Sequence, residues 1–333
     1  MEKLKVVVSD YVESDLDWEV EQFGQMGVDF SFYQLKTAPV PELLMVIADA
    51  DVVIVNMAQI NEEVLSGLKR TKLIIRHGVG YDNIDVPAAS RRGIVVSYIP
   101  DYCMHEVAEQ AVMLIMACQR KLNQQIHLTS ESSLSGKWIF KPIYPLYSLS
   151  GKTLGIIGCG RIGSLVHKMM QNFDLARILI CDPYLSEERQ RDLGSPFLPL
   201  NKLLSQSDIV TIHTTLSPET YHMLDESQFK LMKPTAILVN TARGGIVNLE
   251  ALDQALKSGR PGFAGIDVYE REPPDKDMAI LTNEKAICTP HLAWLSEESG
   301  WNIRKQIVGD VNRFLHQEGP RHPIDKSVPI SFE

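Results

Sequence analysis

The chain has 333 residues, 44% apolar and 23% charged, long enough for two domains with real cores and too apolar to be read as disordered. A formal charge of −9 and a pI near 5.5 argue against a nucleic-acid surface, because no segment concentrates Lys and Arg on one face. Five cysteines without a C-x-x-C pair suggest neither a disulfide framework nor zinc, so no metal is expected.

The sequence enters at 3–10 on Lys-Leu-Lys-Val-Val-Val-Ser-Asp. This is a short strand pattern without the apolar core and cleavage site of a signal peptide, and cytoplasmic residence is the expectation. Up to about residue 97, apolar runs at 6–8, 30–33, 52–55, 73–75 and 94–96 alternate with amphipathic segments, the clearest at 16–23, 41–47 and 61–68. That rhythm predicts a parallel α/β domain. A long helix is expected over 104–122. Its apolar residues, Val107, Ala108 and most of 111–118, cover the circumference, so it is buried on several sides, whether between domains, at a subunit interface or in a core. Its apolar stretch falls far short of the ~20 residues that span a bilayer, and no membrane contact is expected. Residues 129–150, rich in Ser, Pro and aromatics, read as an irregular connection.

The most informative stretch follows. Gly158, Gly160 and Gly163 have the G-x-G-x-x-G spacing directly after the apolar run 154–157, and 161–173 then carries apolar residues at helical spacing. Gly158 would permit the tight turn, Gly160 the approach of a pyrophosphate, and Gly163 close packing of helix on sheet. A second apolar run ends at Asp182, 19 residues after Gly163, where an acid that binds ribose hydroxyls and repels a 2′-phosphate is expected. With no arginine in the adjoining Pro183-Tyr184-Leu185, NAD is favoured over NADP. Further strands are expected at 209–212, 236–239, 263–266 and 286–288, for a six-strand sheet, and a last helix at 296–316.

In such sheets ligands bind beyond the carboxyl ends of the strands. Four segments stand there: 76–80 (Arg-His-Gly-Val-Gly), 240–245 (Asn-Thr-Ala-Arg-Gly-Gly), 267–273 (Asp-Val-Tyr-Glu-Arg-Glu-Pro) and 289–294 (Thr-Pro-His-Leu-Ala-Trp). An arginine there suits a carboxylate because its planar fork is permanently charged. A histidine suits proton transfer because its unperturbed pKa of ~6.5 lies near neutrality. Taken singly, such an arginine is more often a surface or capping residue, and one histidine among nine more often structural.

Together with 80–85 (Gly-Tyr-Asp-Asn-Ile-Asp) and the glycine turn, these motifs stand in the order and spacing of the D-2-hydroxyacid dehydrogenases, which the chain resembles over nearly its whole length. The segments 98–103, 181–186 and 288–297, with Trp294 three residues after His291, resemble the branch containing the C-terminal-binding proteins. The resemblance implies two Rossmann-like or flavodoxin-like doubly wound parallel-sheet domains with a cleft between them. A substrate domain would comprise 1–99 plus 297–333 and an NAD-binding domain 100–296, so the last helix returns to the first domain, and domain closure would exclude water. It implies an NAD-dependent oxidoreductase that interconverts a small 2-oxo acid and its D-2-hydroxy acid, as a homodimer through the NAD-binding domain.

Residue by residue, the resemblance makes Arg243 the anchor for substrate carboxylate and carbonyl, His291 the acid/base, and Glu272 the carboxylate that fixes the imidazole and raises its pKa. Glu272 is preferred to Glu270 because the family's acid directly precedes proline. Arg76, with the amides of Val79 and Gly80, would meet the substrate carboxylate, the alternative for Arg76 being a solvated charge at a strand end. Trp294 would wall the substrate side chain. Arg161 and Ile162 would present amides to the pyrophosphate, Thr214 would lie beside the cofactor, and Thr241, Arg243 and Asp267 would surround the nicotinamide. Thr215, where many family members have proline, and 97–100 depart from the family pattern. The branch implies a second reading, an NAD(H)-sensing corepressor-like interaction module that retains the site.

Overall fold

The computed structural model describes residues 3–330. The chain forms two compact units, one made of residues up to Cys103 together with those from Ser296 onward, the other of Met104–Leu295.

The first unit contains β1 (Lys5–Val8), α1 (Asp17–Gln25), β2 (Asp29–Phe32), α2 (Val40–Ile47), β3 (Val52–Val55), α3 (Glu62–Gly67), β4 (Leu73–Arg76), α4 (Val86–Arg91) and β5 (Val95–Tyr98). Its five strands are all parallel, in the order β2-β1-β3-β4-β5. Strands covered on both faces lose the polar alternation of a half-exposed sheet, which is why β3 reads Val-Val-Ile-Val and is buried throughout. Helix starts follow capping chemistry. Asn61 and Asp85 accept the amides of Val64 and Ala88, each satisfying one donor that the first helical turn leaves without an intrahelical partner. The core gathers Val7, Ile47, Val53, Ile60, Leu65, Ile74 and Ala88 from strands and helices alike.

The second unit contains α5 (Met104–Gln119), α6 (Leu122–Ser135), β6 (Thr153–Ile157), α7 (Arg161–Met170), β7 (Arg177–Cys181), α8 (Glu187–Leu193), α9 (Leu200–Gln206), β8 (Ile209–Ile212), α10 (Glu226–Phe229), β9 (Ile237–Asn240), α11 (Leu249–Ser258), β10 (Phe263–Ile266) and β11 (Ala286–Cys288). Its six strands are parallel in the order β11-β10-β9-β8-β6-β7. The chain direction across the sheet reverses between β6 and β8. The carboxyl ends at that switch point, where doubly wound sheets bind ligands, carry the glycine turn and residues 213–216.

The segment expected as one helix over 104–122 is two. α5 stops at Gln119 because Lys121 takes a left-handed backbone, φ 52°, and α6 starts afresh from it. α5 is the core helix of this unit, burying Ala108, Ala111, Leu114, Ile115 and Cys118 against β6, β9 and α7 residues. The irregular connection expected from 129 is helical through Ser135. Thr129 and Ser130 return their hydroxyls to the carbonyls of Gln125 and Ile126, four residues back, which lets polar residues continue the helix.

α12 (Glu297–Leu315) belongs to the first unit. Ser296 and Ser299 form a reciprocal capping box at its start, and the helix packs on α1. There Arg304 grips Glu19 through Nε at 2.6 Å, and Trp301 meets the edge of Trp18 with ring centroids 5.7 Å apart.

Candidate active site and cofactor cradle

The glycine turn is built around close backbone approaches. Gly158 has φ +81°, a conformation that side chains rarely adopt, and a Cβ there would lie 2.7 Å from the Thr214 amide nitrogen. A Cβ on Gly163 would lie 2.2 Å from the Gly158 carbonyl oxygen, whereas one on Gly160 would meet nothing within 4 Å. The turn is therefore packed behind Gly158 and Gly163 and open at Gly160. α7 starts immediately after Gly160 with no side-chain cap, so the first-turn amides of Arg161 and Ile162 are left at the positive end of the helix dipole.

Asp182, at the end of β7, is oriented by two amides: Oδ2 accepts from Cys159 at 2.8 Å and Oδ1 from Tyr184 at 3.0 Å. His213 sits under the turn, bonded to Thr211 Oγ1 at 2.9 Å, and burial of the ring pushes its pKa down to about 3, so the ring stays neutral. Sequence reading gave this histidine no role, and its signal was only that it directly follows a buried strand. Thr241 Oγ1 is buried and has no hydrogen-bond partner among the described residues. An open cradle at Gly160, uncapped amides, a held carboxylate at Asp182 and an orphaned hydroxyl at Thr241 fit a dinucleotide.

In the same unit, two strand ends and one loop bring the proposed chemistry together. At the end of β9, Asn240 is fully buried and ties the following turn at both ends, its Nδ2 donating to the Arg243 carbonyl at 2.9 Å and its Oδ1 accepting the Ala242 amide at 3.0 Å. Arg243 is thereby presented at the head of the turn, with Nη1 on the Ala242 carbonyl. After β10, the Asp267 carboxylate is wholly buried and accepts from Thr289 Oγ1 at 2.5 Å, the Leu292 amide at 3.2 Å and the Ala293 amide at 2.9 Å. Its carbonyl accepts the His291 amide at 2.8 Å. The residue that the family resemblance sets beside the nicotinamide also folds the loop that carries His291.

His291 itself has φ +55°, an uncommon backbone for a non-glycine residue, held by those Asp267 contacts. Its Nδ1 meets Glu272 Oε2 at 2.6 Å. Burial alone would raise the Glu272 carboxyl, but the hydrogen bond and charge of His291, the Tyr269 amide and the Arg243 guanidinium outweigh it and hold the carboxyl below its ordinary value. Glu272 is the acid that faces His291, while Glu270 faces His222, with 3.2 Å between Oε1 and Nε2. Trp294 is half-buried three residues beyond His291.

Arg76, Val79 and Gly80 lie in the first unit. Arg76 is buried at 9% exposure, so the alternative of a solvated strand-end charge does not describe it. Its guanidinium turns back over its own turn, Nη1 donating to the His77 carbonyl at 2.5 Å and Nη2 lying 3.8 Å from Met57 Sδ. Gly78 makes that possible, because a Cβ there would occupy the space of Arg76 Nη1. His77 Nε2 pairs with Glu13 at 3.1 Å, and Val79 and Gly80 are half-buried.

Residues 112–293 match the family described as D-isomer specific 2-hydroxyacid dehydrogenase, NAD binding domain. The chain belongs to the D-isomer specific 2-hydroxyacid dehydrogenase family. It is an NAD-dependent dehydrogenase, 38% identical over 272 residues to the glyoxylate reductase of Korarchaeum cryptofilum, covering 81% of this chain and 80% of that one. It is 37% identical over 317 residues to the D-3-phosphoglycerate dehydrogenase of Methanocaldococcus jannaschii, covering 95% of this chain but only 58% of that longer protein. The D-lactate dehydrogenase of Aquifex aeolicus, solved with NAD and lactic acid, superimposes with a TM-score of 0.83 at 28% identity, over 94% of this chain and 96% of that one. Among the described residues of the dehydrogenase, no His, Cys, Asp and Glu group could hold a metal ion, and no helix is long and apolar enough to cross a membrane.

Proposed function

We propose that this dehydrogenase interconverts a 2-oxo acid and its D-2-hydroxy acid, with His291, Glu272 and Arg243 as the acting residues. The observation that carries the reading is the 2.6 Å contact of His291 Nδ1 with Glu272, in a loop held by the buried Asp267 carboxylate. With Nδ1 engaged by Glu272, Nε2 is the ring atom left to give a proton to the nascent alkoxide in reduction and to take it back in oxidation. Glu272 fixes the ring's orientation through Nδ1. Arg243 supplies a two-pronged donor for the substrate carboxylate and carbonyl oxygen, polarising the carbonyl toward attack. NAD(H), when bound, supplies or accepts the hydride.

Gly160, Arg161 and Ile162 would receive the pyrophosphate, Asp182 the ribose hydroxyls, and Thr214, Thr241 and Asp267 the neighbourhood of the nicotinamide. Arg76 with the amides of Val79 and Gly80 would anchor the substrate carboxylate, and Trp294 would bound its side chain. The same unit exposes a run of large apolar side chains over 126–144, among them Leu134 at 91% and Trp138 at 83%. A monomer rarely leaves such a patch uncovered, which supports pairing of two copies through the NAD-binding unit.

The test is His291→Gln, assayed by NADH oxidation with 2-oxo acids alongside NADH titration. Reduction should fall by about 100-fold or more, within the range of general acid–base catalysis, while NADH affinity stays within about three-fold. Turnover equal to the parent's would remove His291 from its role.

A further inference from the structure

The Arg243 turn and the Glu272 segment touch directly. A Cβ on Gly244 would lie 1.9 Å from the Tyr269 carbonyl carbon and 2.3 Å from the Glu270 amide nitrogen, so these backbones pack with no side chain between them. Residues 222–224 are stitched to the same place: the His222 amide donates to Gly245 O at 2.8 Å, the Leu224 amide to Ile246 O at 3.1 Å, and the Asn248 amide returns to Leu224 O at 3.0 Å. Glu270 closes the junction. Its Oε1 faces His222 Nε2 at 3.2 Å and accepts the Leu249 amide, the first of α11, at 3.4 Å. His222 is held for this contact with φ +47° and its ring stacked on Tyr221, centroids 4.0 Å apart. Nε2 is buried and makes no hydrogen bond among the described residues, and Glu270, within ion-pair distance, is the acid it faces.

We propose that His222 and Glu270 are positioning residues, a second imidazole–carboxylate pair that locks the Arg243 turn onto the segment carrying Glu272. The inference rests on the assignment of Arg243, Glu272 and His291 above. The mechanical link is short on both sides. Gly244 and Gly245 directly follow Arg243, and the Tyr269 amide, next to Glu270, donates to Glu272 Oε1 at 3.0 Å, while the other oxygen of Glu272 holds His291. Loosening the junction therefore displaces the arginine and the acid/base pair relative to one another, and misplacement by about 1 Å is costly to a reacting geometry. The pair acts through the junction, so its loss should act on turnover rather than on cofactor binding.

The test uses Glu270→Gln, His222→Asn and the double variant. Asparagine tolerates the left-handed backbone, so His222→Asn keeps the loop foldable. Each single variant should lower kcat with a 2-oxo acid by roughly 5- to 20-fold, leave the NADH Kd within about two-fold, and speed amide hydrogen exchange in the peptide covering 243–249. The double variant should be no worse than the poorer single one, since the two act as one unit. Unchanged exchange overturns the proposal, as do faster exchange with unchanged kcat, and additive losses in the double variant. If the parent turns over no 2-oxo acid, the proposed function falls, and the exchange measurement alone still decides whether the pair holds the turn.

Discussion

Replacing Gly160 with alanine separates what the glycine turn does for the fold from what it does for the ligand. In the protein itself, a Cβ at Gly160 meets nothing within 4 Å, whereas one at Gly163 presses against the Gly158 carbonyl oxygen at 2.2 Å. To reach ordinary contact at 3.4 Å, Gly163→Ala must open the turn by 3.4 − 2.2 = 1.2 Å against backbone. Overpacking of that kind costs about 1–3 kcal/mol, which for a unit of this size lowers Tm by roughly 2–12 °C. Gly160→Ala meets no such obstacle, and its Tm should stay within about 2 °C of the parent's. On the proposed reading its methyl would instead fill the space through which a pyrophosphate reaches the backbone amides. The NADH Kd should rise by roughly 10- to 100-fold, or about 1.4–2.7 kcal/mol. Scanning fluorimetry of the free protein and NADH titration by nicotinamide fluorescence read the two effects independently. The reasoning fails if Gly160→Ala binds NADH within about two-fold of the parent, or if its Tm falls as far as that of Gly163→Ala.

The Asp267 carboxylate accepts donors on both oxygens, and an amide offers only one acceptor. Asp267→Asn should thus cost about 2–4 kcal/mol in stability and at least about ten-fold in kcat, because the loop it releases carries His291. Unchanged Tm and kcat would show that the loop holds itself. In the first unit, burial would raise the Glu13 carboxyl, but His77 and nearby amides overcome it and bring its pKa from 4.5 down to about 2. Because the folded value is the lower one, the stabilisation is full above pH 4.5 and drains away as pH falls toward 2. Thermal melts across that range should show a shallower acid loss for Glu13→Gln than for the parent, and parallel curves would refute the pairing.

Much of the sheet architecture was legible because buried parallel strands lose their polar alternation and stand out as runs such as Val-Val-Ile-Val in β3. α6 was hidden for the opposite reason. Its Ser- and Thr-rich composition imitates a connection until the hydroxyls are seen bonding to carbonyls one turn back. The end of α5 was equally unreadable, since Lys121 carries no signal for a left-handed backbone. At the site, the glycine spacing and the strand-end segments were visible in the chain, but their couplings were not. Asp267 reaches donors 22 to 26 residues away, and Glu270 reaches back 48 residues to His222, distances over which local pattern says nothing. The choice of Glu272 over Glu270 could be made only from its neighbouring proline, whereas the geometry gives each acid its own histidine.

The central claim is that this chain reduces 2-oxo acids to the D-configured alcohol. Steady-state NADH oxidation with glyoxylate, pyruvate, hydroxypyruvate and longer 2-oxo acids, followed by chiral chromatography of the products that carry a stereocentre, tests it most directly. The account predicts turnover of at least one 2-oxo acid, with product that is the D enantiomer. No turnover by protein that binds NADH, or an L-configured product, would contradict it.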